Sequence, residues 1–544
     1  MDSIRIKRLR CLSDTGDIQI KPITILLGQN SSGKSTFLRV LPLLKQSVES
    51  RTTGPLLWYG RLVDFGSFDD AHQNGSENTI SLSFNFSIKP YDDERFFYFM
   101  ESQYSSPYGL VDSFRVLHDL NVNLTLEITE SKKKEITRTS KIILLFEDSK
   151  IQIDFNEDEN VSAFYVNSLN ILELGNQYVF KKLGNRAFLP LINEVEQKKD
   201  ADSEITALYS KNIKTRHRSF RSLLNLLLIQ VKKNVHPSTS PDTVMKMLLS
   251  LGLGDSEAML KDIQTNRYSG KSWKKQTDNW SIETEEFKHL KNLVIANAAS
   301  FLIEKCDDIL ANFSRQISYM GPVRATAERY YRTQDLAVDE VDYQGRNLAM
   351  FLRNLKDSEM SSFSEWTLEN FGFKPLIKSS LGHISLKIRP KNSDKELNIA
   401  DTGFGFSQIL PIITQLWLLS VLPKRNSATV NRRIGKEPIT YAIEQPELHL
   451  HPRLQGIMTD AFVTSIKKAK EKDIDLRLVI ETHSEALVNR LGHLVAEGKI
   501  DSEQINIVLF DSSDSSGKVE IRKAYFDAEG YLSNWPLGFF EMEN

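Results

Sequence analysis

The sequence predicts an α/β fold with a β-rich N-terminal lobe, a helical insertion and a C-terminal lobe built on buried, largely parallel strands. Three observations carry this. Strictly alternating runs crowd the first 165 residues, helical periodicity takes over in the middle, and short apolar β-branched runs separated by helix-length spacers close the chain.

The first lobe, 1–166, opens with SIRIKRLRCL and DIQIKPITILLGQN, two alternating segments of which the second feeds a Gly-rich turn. STFLRVLPLLKQS follows with helical spacing. TISLSFNFSI at 79–88, then NVNLTLEITE and KIILLFED, alternate apolar and polar residues as half-buried strands do. Residues 167–317 read as mostly helical. SFRSLLNLLLIQVKKNV and EFKHLKNLVIANAASFLIEKCDDILANFSRQI are the clearest segments, and between them the polar DIQTNRYSGKSWKKQTDNWSIET is expected to be mobile. Strand patterns resume in 318–544 with HISLKIRP, PITYAIE, DLRLVIET and INIVLFD.

Bulk properties narrow the class. At 544 residues the chain is too long for one ordinary core. With 26% charged and 40% apolar residues it is expected to fold rather than remain disordered, and a net charge of −2 provides no whole-chain field for nucleic acid. Cys11 and Cys306 are the only cysteines, too few and too far apart for a disulfide framework or zinc ribbon, as in a reducing compartment. The charged start MDSIRIKRLRCLSD does not read as a secretory signal, and no uninterrupted run of apolar residues is long enough to span a membrane. A cytoplasmic globular protein is therefore expected.

Chemistry concentrates in four motifs. GQNSSGKST, residues 28–36, fits G-x-x-x-x-G-K-[ST] between a strand and a helix. Gly28 and Gly33 let backbone N–H groups approach phosphate oxygens. Gln29, Asn30, Ser31, Ser32 and Thr36 complete the cradle, Lys34 supplies a point charge, and Ser35 can ligate Mg²⁺. ATP with Mg²⁺ is the expected ligand. A phosphate loop needs a partner acid at the end of a neighbouring strand, and ITYAIE provides Glu444. DTGFGFSQILP places Gly405, Ser407 and Gln408 at a second Gly-rich helix start, which can meet an anion on another molecule. IETHSE sets His483 just after a strand, within reach of a γ-phosphate.

These motifs, in this order, resemble the ABC-type ATPases of the RecF, SMC and OLD class. The chain is most similar to the stand-alone defence ATPases of the PtuA family from Septu and retron systems. SYMGPVRA at 318–325 and the closing YLSNWPLGFFE share the resemblance. It implies an ABC-type P-loop ATPase head in which GQNSSGKST is the Walker A loop, Glu444 the Walker B acid and magnesium ligand with Ser35, Ser407 the signature serine and His483 the switch histidine. Residues 449–452 would meet a partner subunit, and Gln73 is a weak candidate for the glutamine loop. It further implies head-to-head homodimers or higher oligomers, a separate HNH-type nuclease such as PtuB, and a reverse transcriptase with retron RNA/DNA as further partners.

One departure stands out. In AIEQPELHLHP, Gln445 holds the place of the catalytic glutamate, and an amide is a poor proton acceptor. Three readings follow: Glu447 replaces the base, Gln445 and His483 position water for slow turnover, or ATP acts only as dimer glue. Asp511 and Asp514 read as a surface turn, so no nuclease centre is expected. His449 and His451 read as a partner-facing loop rather than a metal pair. KNIKTRHRSFR and NRYSGKSWKKQTDNW, basic and aromatic, are the candidate docking segments. A RecF-like repair ATPase and a nucleotide-bound scaffold are the alternatives.

Overall fold

The computed structural model describes residues 1–90, 114–131, 136–174, 178–182, 188–194, 221–334, 337–421, 438–511 and 519–535. The chain divides into two compact units. One comprises Met1, Ser50–Leu56 and Glu77–Ala311; the other comprises Asp2–Glu49, Leu57–Ser76 and Asn312–Asn544.

In the first unit an antiparallel meander runs Ile80–Ile88, Leu120–Ser131, Ile136–Phe146, Ser149–Phe155, Val161–Val166 and Leu169–Asn170. The alternation read in the sequence is the cause: Leu120, Val122, Leu124 and Leu126 are buried while Asn121 between them is exposed. Strand structure continues past residue 166, in the hairpin Tyr178–Lys182 with Pro190–Glu194, where helix was expected. The described helices begin only at Arg221–Lys233 and end with Glu285–Arg315. The polar stretch 262–284, expected to be mobile, contains the helix Lys271–Thr277. Its Trp273 is fully buried, and the indole N–H donates to the Ile263 carbonyl at 2.7 Å. One large aromatic anchor offsets the many charges around it. Trp273 is therefore core, not a stacking side chain of NRYSGKSWKKQTDNW. Residues 211–220 of KNIKTRHRSFR lie outside the described residues, as do Asp514 and the end of YLSNWPLGFFE.

The second unit is a seven-stranded sheet in the order Ile317–Met320, Ile439–Glu444, Leu476–Glu481, Ile23–Gly28, Ile505–Asp511, Glu520–Phe526, Leu532–Ser533. The first five strands are parallel and the last two antiparallel. Alternation splits its two faces. Ile23, Ile25, Leu27, Ile443, Ile480 and Leu509 join one core with the helices Phe404–Val421, Pro452–Glu471 and Glu485–Ala496. Phe510 instead meets Phe37 of the helix Lys34–Glu49, with ring centroids 6.2 Å apart. Both faces are thus covered, which is why these strands read as continuous apolar runs. A smaller antiparallel sheet is formed by Phe373–Ser380, His383–Pro390, Tyr331–Arg332 and Leu397–Asn398.

This second unit is the expected α/β arrangement of buried, largely parallel strands. Among the described residues, helix Phe404–Val421 is the one that is long and apolar enough by length and composition to cross a membrane; 72% of it is buried within the protein, as in a core helix.

Candidate functional site

The strand Ile23–Gly28 is wholly buried and ends at the sheet's carboxyl edge, where a parallel α/β fold binds ligands. Gly28 has φ +154°, and a Cβ there would collide with the Phe510 carbonyl. Gly33 has φ +96°, and a Cβ there would run into Leu12 and Cys11. These two glycines let the loop fold back tightly before the helix Lys34–Glu49. Ser32 Oγ donates to the Gln29 carbonyl at 2.8 Å, closing the turn. The Lys34 ammonium is buried and donates to the Gly28 and Gln29 carbonyls at 3.0 and 2.5 Å. Burial lowers its pKa, with Glu481 and Glu447 opposing.

A cavity of about 150 Å³ opens over this loop. Asn30 to Thr36 line it together with Cys11, Gln445, Glu481 and His483. Gly405, Ser407 and Gln408 do not line it. Ser407 is buried at its own helix start, where Oγ donates to the Phe404 carbonyl at 2.8 Å. Gln73 also lies elsewhere, donating to Ser13 Oγ at 2.8 Å.

The acids are arranged differently from the sequence expectation. Glu444, expected to hold magnesium, is 1% exposed and its carboxylate is engaged. Arg39 grips both oxygens at 2.8 Å and the Tyr319 hydroxyl donates to Oε1 at 2.7 Å. Arg324 donates to the Glu444 and Gln445 carbonyls at 2.9 and 3.0 Å. The acid beside the phosphate loop is Glu481, which accepts from Ser35 Oγ at 2.6 Å. Its other oxygen, Oε2, is buried with no hydrogen-bond partner among the described residues, an orphan of the kind a bound cation would satisfy.

The two carboxylates lie side by side because Glu444 and Glu481 are register partners at the ends of adjacent parallel strands. Arg39 neutralises one of them. Burial, with a further push from Glu444, raises the other to about 7. Arg39 itself reaches Glu444 from one helical turn beyond Ser35. Sequence reading missed Glu481 and Arg39, although two apolar runs both ending in Glu, YAIE and LVIE, and an Arg at i+4 from the serine were visible signals.

Glu447 is also committed. Its Oε2 accepts from Thr482 Oγ1 at 2.8 Å and its Oε1 from the His483 backbone N–H at 2.7 Å. Burial raises its pKa. Burial, and to a lesser degree Lys34, lowers that of His483, so the imidazole is neutral at pH 7. Gln445 adopts φ +43°, a left-handed turn that sends the chain out of the strand. His451 caps the next helix, accepting from Arg453 N–H at 3.2 Å, and His449 packs against Phe404 with ring centroids 5.9 Å apart.

A pH dependence follows from Glu481. Its folded pKa, about 7, lies above its ordinary 4.5, so the folded state binds more protons between those values. Stability of the nucleotide-free protein therefore falls as pH rises through that window, by up to about 3 kcal/mol from this group. Urea unfolding of wild type and Glu481→Gln at pH 5 and pH 8 checks this. The wild-type value should drop relative to the variant, and parallel behaviour of the two would refute it.

Endonuclease GajA of Bacillus cereus (strain HuB5-5) is 24% identical over 229 residues, covering 40% of this chain. The match covers 31% of that relative, so the chain spans about a third of its length. Among solved structures, an SMC head bound to the C-winged helix domain of ScpA aligns over 96% of this chain and 97% of its own, at 10% identity and TM-score 0.33. The SMC head domain from Thermotoga maritima aligns over 96% and 98%, at 8% identity and TM-score 0.33. The family described as AAA ATPase domain matches residues 1–488, a span that takes in the phosphate loop, both carboxylate strands and His483, and the chain belongs to that family.

Proposed function

We propose that the chain is an ATP-binding, slowly hydrolysing ATPase subunit of an antiviral complex of the Septu or retron type, resembling PtuA. It would control a separate HNH-type nuclease such as PtuB through ATP-dependent head-to-head dimerisation. The observation that carries the ATPase reading is the Lys34–Ser35–Glu481 group, with an orphaned carboxylate oxygen, beneath a phosphate loop. Family membership supports it, and the motif resemblance supports the defence setting.

The residues fit Mg²⁺: a hydroxyl and a carboxylate oxygen, both hard donors, with phosphates and water left to complete the shell. Ser35 and Glu481 would hold the ion, which when bound neutralises charge on the terminal phosphates. Glu444 acts one layer back, holding Arg39 and Tyr319.

Slow turnover follows from the groups near the γ-phosphate. Gln445 and His483 line the cavity and can orient water, and Gln445, in the place of the catalytic glutamate, cannot take its proton. Glu447 is spent on Thr482 and His483, so it positions that segment rather than serving as base. Introducing a base by Gln445→Glu is expected to raise phosphate release about a hundredfold or more, the range that a positioned base contributes. Release no greater in wild type than in Lys34→Ala, alone or with the partner nuclease, would favour the scaffold reading. Ser407 is proposed to close the partner's nucleotide. Ser407→Arg should then abolish the ATP-dependent dimer in light scattering while nucleotide binding survives; a dimer that persists would sink that assignment.

A further inference from the structure

We propose that the outward face of the small antiparallel sheet binds single-stranded nucleic acid. In the strand His383–Pro390, Ile384, Leu386 and Ile388 are buried, which turns His383, Lys387 and Arg389 outward. Cross-strand register adds Lys374 opposite Arg389, Lys378 opposite Ser385 and Arg332 opposite His383. Five permanent cations therefore share one face of a chain whose net charge is −2.

One carboxylate sits among them. Glu396 accepts from Arg389 at 3.0 Å, pairs with Lys387 at 3.5 Å, and also pairs with Lys378. Lys378, Arg389 and Lys387 hold its carboxyl down at about 2. Three cations converge on a single acid, and Lys374 and Arg332 have no ion-pair partner among the described residues. Lysines on an edge strand guard against aggregation. Lys387 and Arg389, however, lie on a strand paired on both sides, where no edge needs guarding. Their excess charge is complementary to a phosphate backbone.

The far end of the face distinguishes the kind of backbone. Tyr330 is 60% exposed and meets His383 edge-on, ring centroids 6.3 Å apart. An exposed aromatic pair beside a cationic track suits bases that are free to stack, which a duplex does not offer. From His383 to Arg389 the track runs about 20 Å, room for a few nucleotides of an extended strand.

The test is fluorescence anisotropy of the full chain with a labelled oligothymidylate of about twelve nucleotides. Arg332→Glu with Lys374→Glu should weaken binding by tenfold or more and reduce the salt-dependence slope by about 1.4. Tyr330→Ala should weaken it by about fivefold or more, with the slope unchanged. Glu396→Gln, which removes the competing anion, should tighten it, whereas a purely structural role for Glu396 would loosen it. Unchanged affinity in the double reversal overturns the proposal. So does tighter capture of a matched duplex, or of phosphatidylserine vesicles, than of the oligonucleotide. None of these residues lines the nucleotide cavity, so Mg-ATP binding in every variant separates failure here from failure of the ATPase reading.

Discussion

Lys34→Ala is expected to raise the Kd for Mg-ATP by about a hundredfold or more. Its ammonium donates to two loop carbonyls, Gly28 and Gln29, and its charge is already desolvated. A phosphate oxygen offers a better partner than either carbonyl. Charge-assisted hydrogen bonds contribute about 1.5–3 kcal/mol each, and every 1.4 kcal/mol is tenfold in affinity. The same burial means that removing the amine relieves a desolvation cost, so the variant should remain folded. Titration calorimetry reads the affinity and thermal melting reads the fold. An affinity within threefold of wild type would remove Lys34 from the site, and with it the phosphate-loop reading.

The second large effect separates two carboxylates that the sequence makes look alike. Glu444→Gln should cost about 3 kcal/mol of stability, because it leaves Arg39 and Tyr319 facing an amide in the interior. The estimate sits at the low end for a broken buried pair because Arg39 is about one-third exposed. Pairing Glu444→Met with Arg39→Leu should recover part of the loss, since apolar replacement of a buried ion pair is often neutral. Glu481→Gln should do the reverse. It removes a raised-pKa acid and so leaves stability at pH 8 intact or improved, yet it should abolish the Mg²⁺ dependence of ATP binding. Urea unfolding and nucleotide titrations with and without Mg²⁺ decide the matter. If Glu444→Gln proves stable and Mg²⁺-blind while Glu481→Gln keeps its metal response, the metal role returns to Glu444.

Much of this was legible in the residues. The phosphate loop, the strands HISLKIRP, ITYAIE, LRLVIE and INIVLFD, and the long helix near 285–315 follow from alternation and periodicity that the interior rewards directly. What was not legible depends on register between distant strands. No local pattern says that Glu481 stands beside Ser35 while Glu444 faces Arg39; that follows from the order in which strands line up in the sheet. Nor does a charge-rich stretch disclose that its Trp273 is sealed in the interior. The strands between 169 and 194 were missed for a similar reason, since they are short and read poorly against the helices expected around them.

The place of Ile23–Gly28 in the sheet has a consequence for the newborn chain. Its two neighbours, Leu476–Glu481 and Ile505–Asp511, lie far downstream of it and are translated long after it. At roughly 5–20 residues per second, the phosphate loop waits about 25–100 seconds after it emerges before either flank exists. No nascent fragment that stops short of that pair can hold ATP, so the nucleotide cannot template early folding.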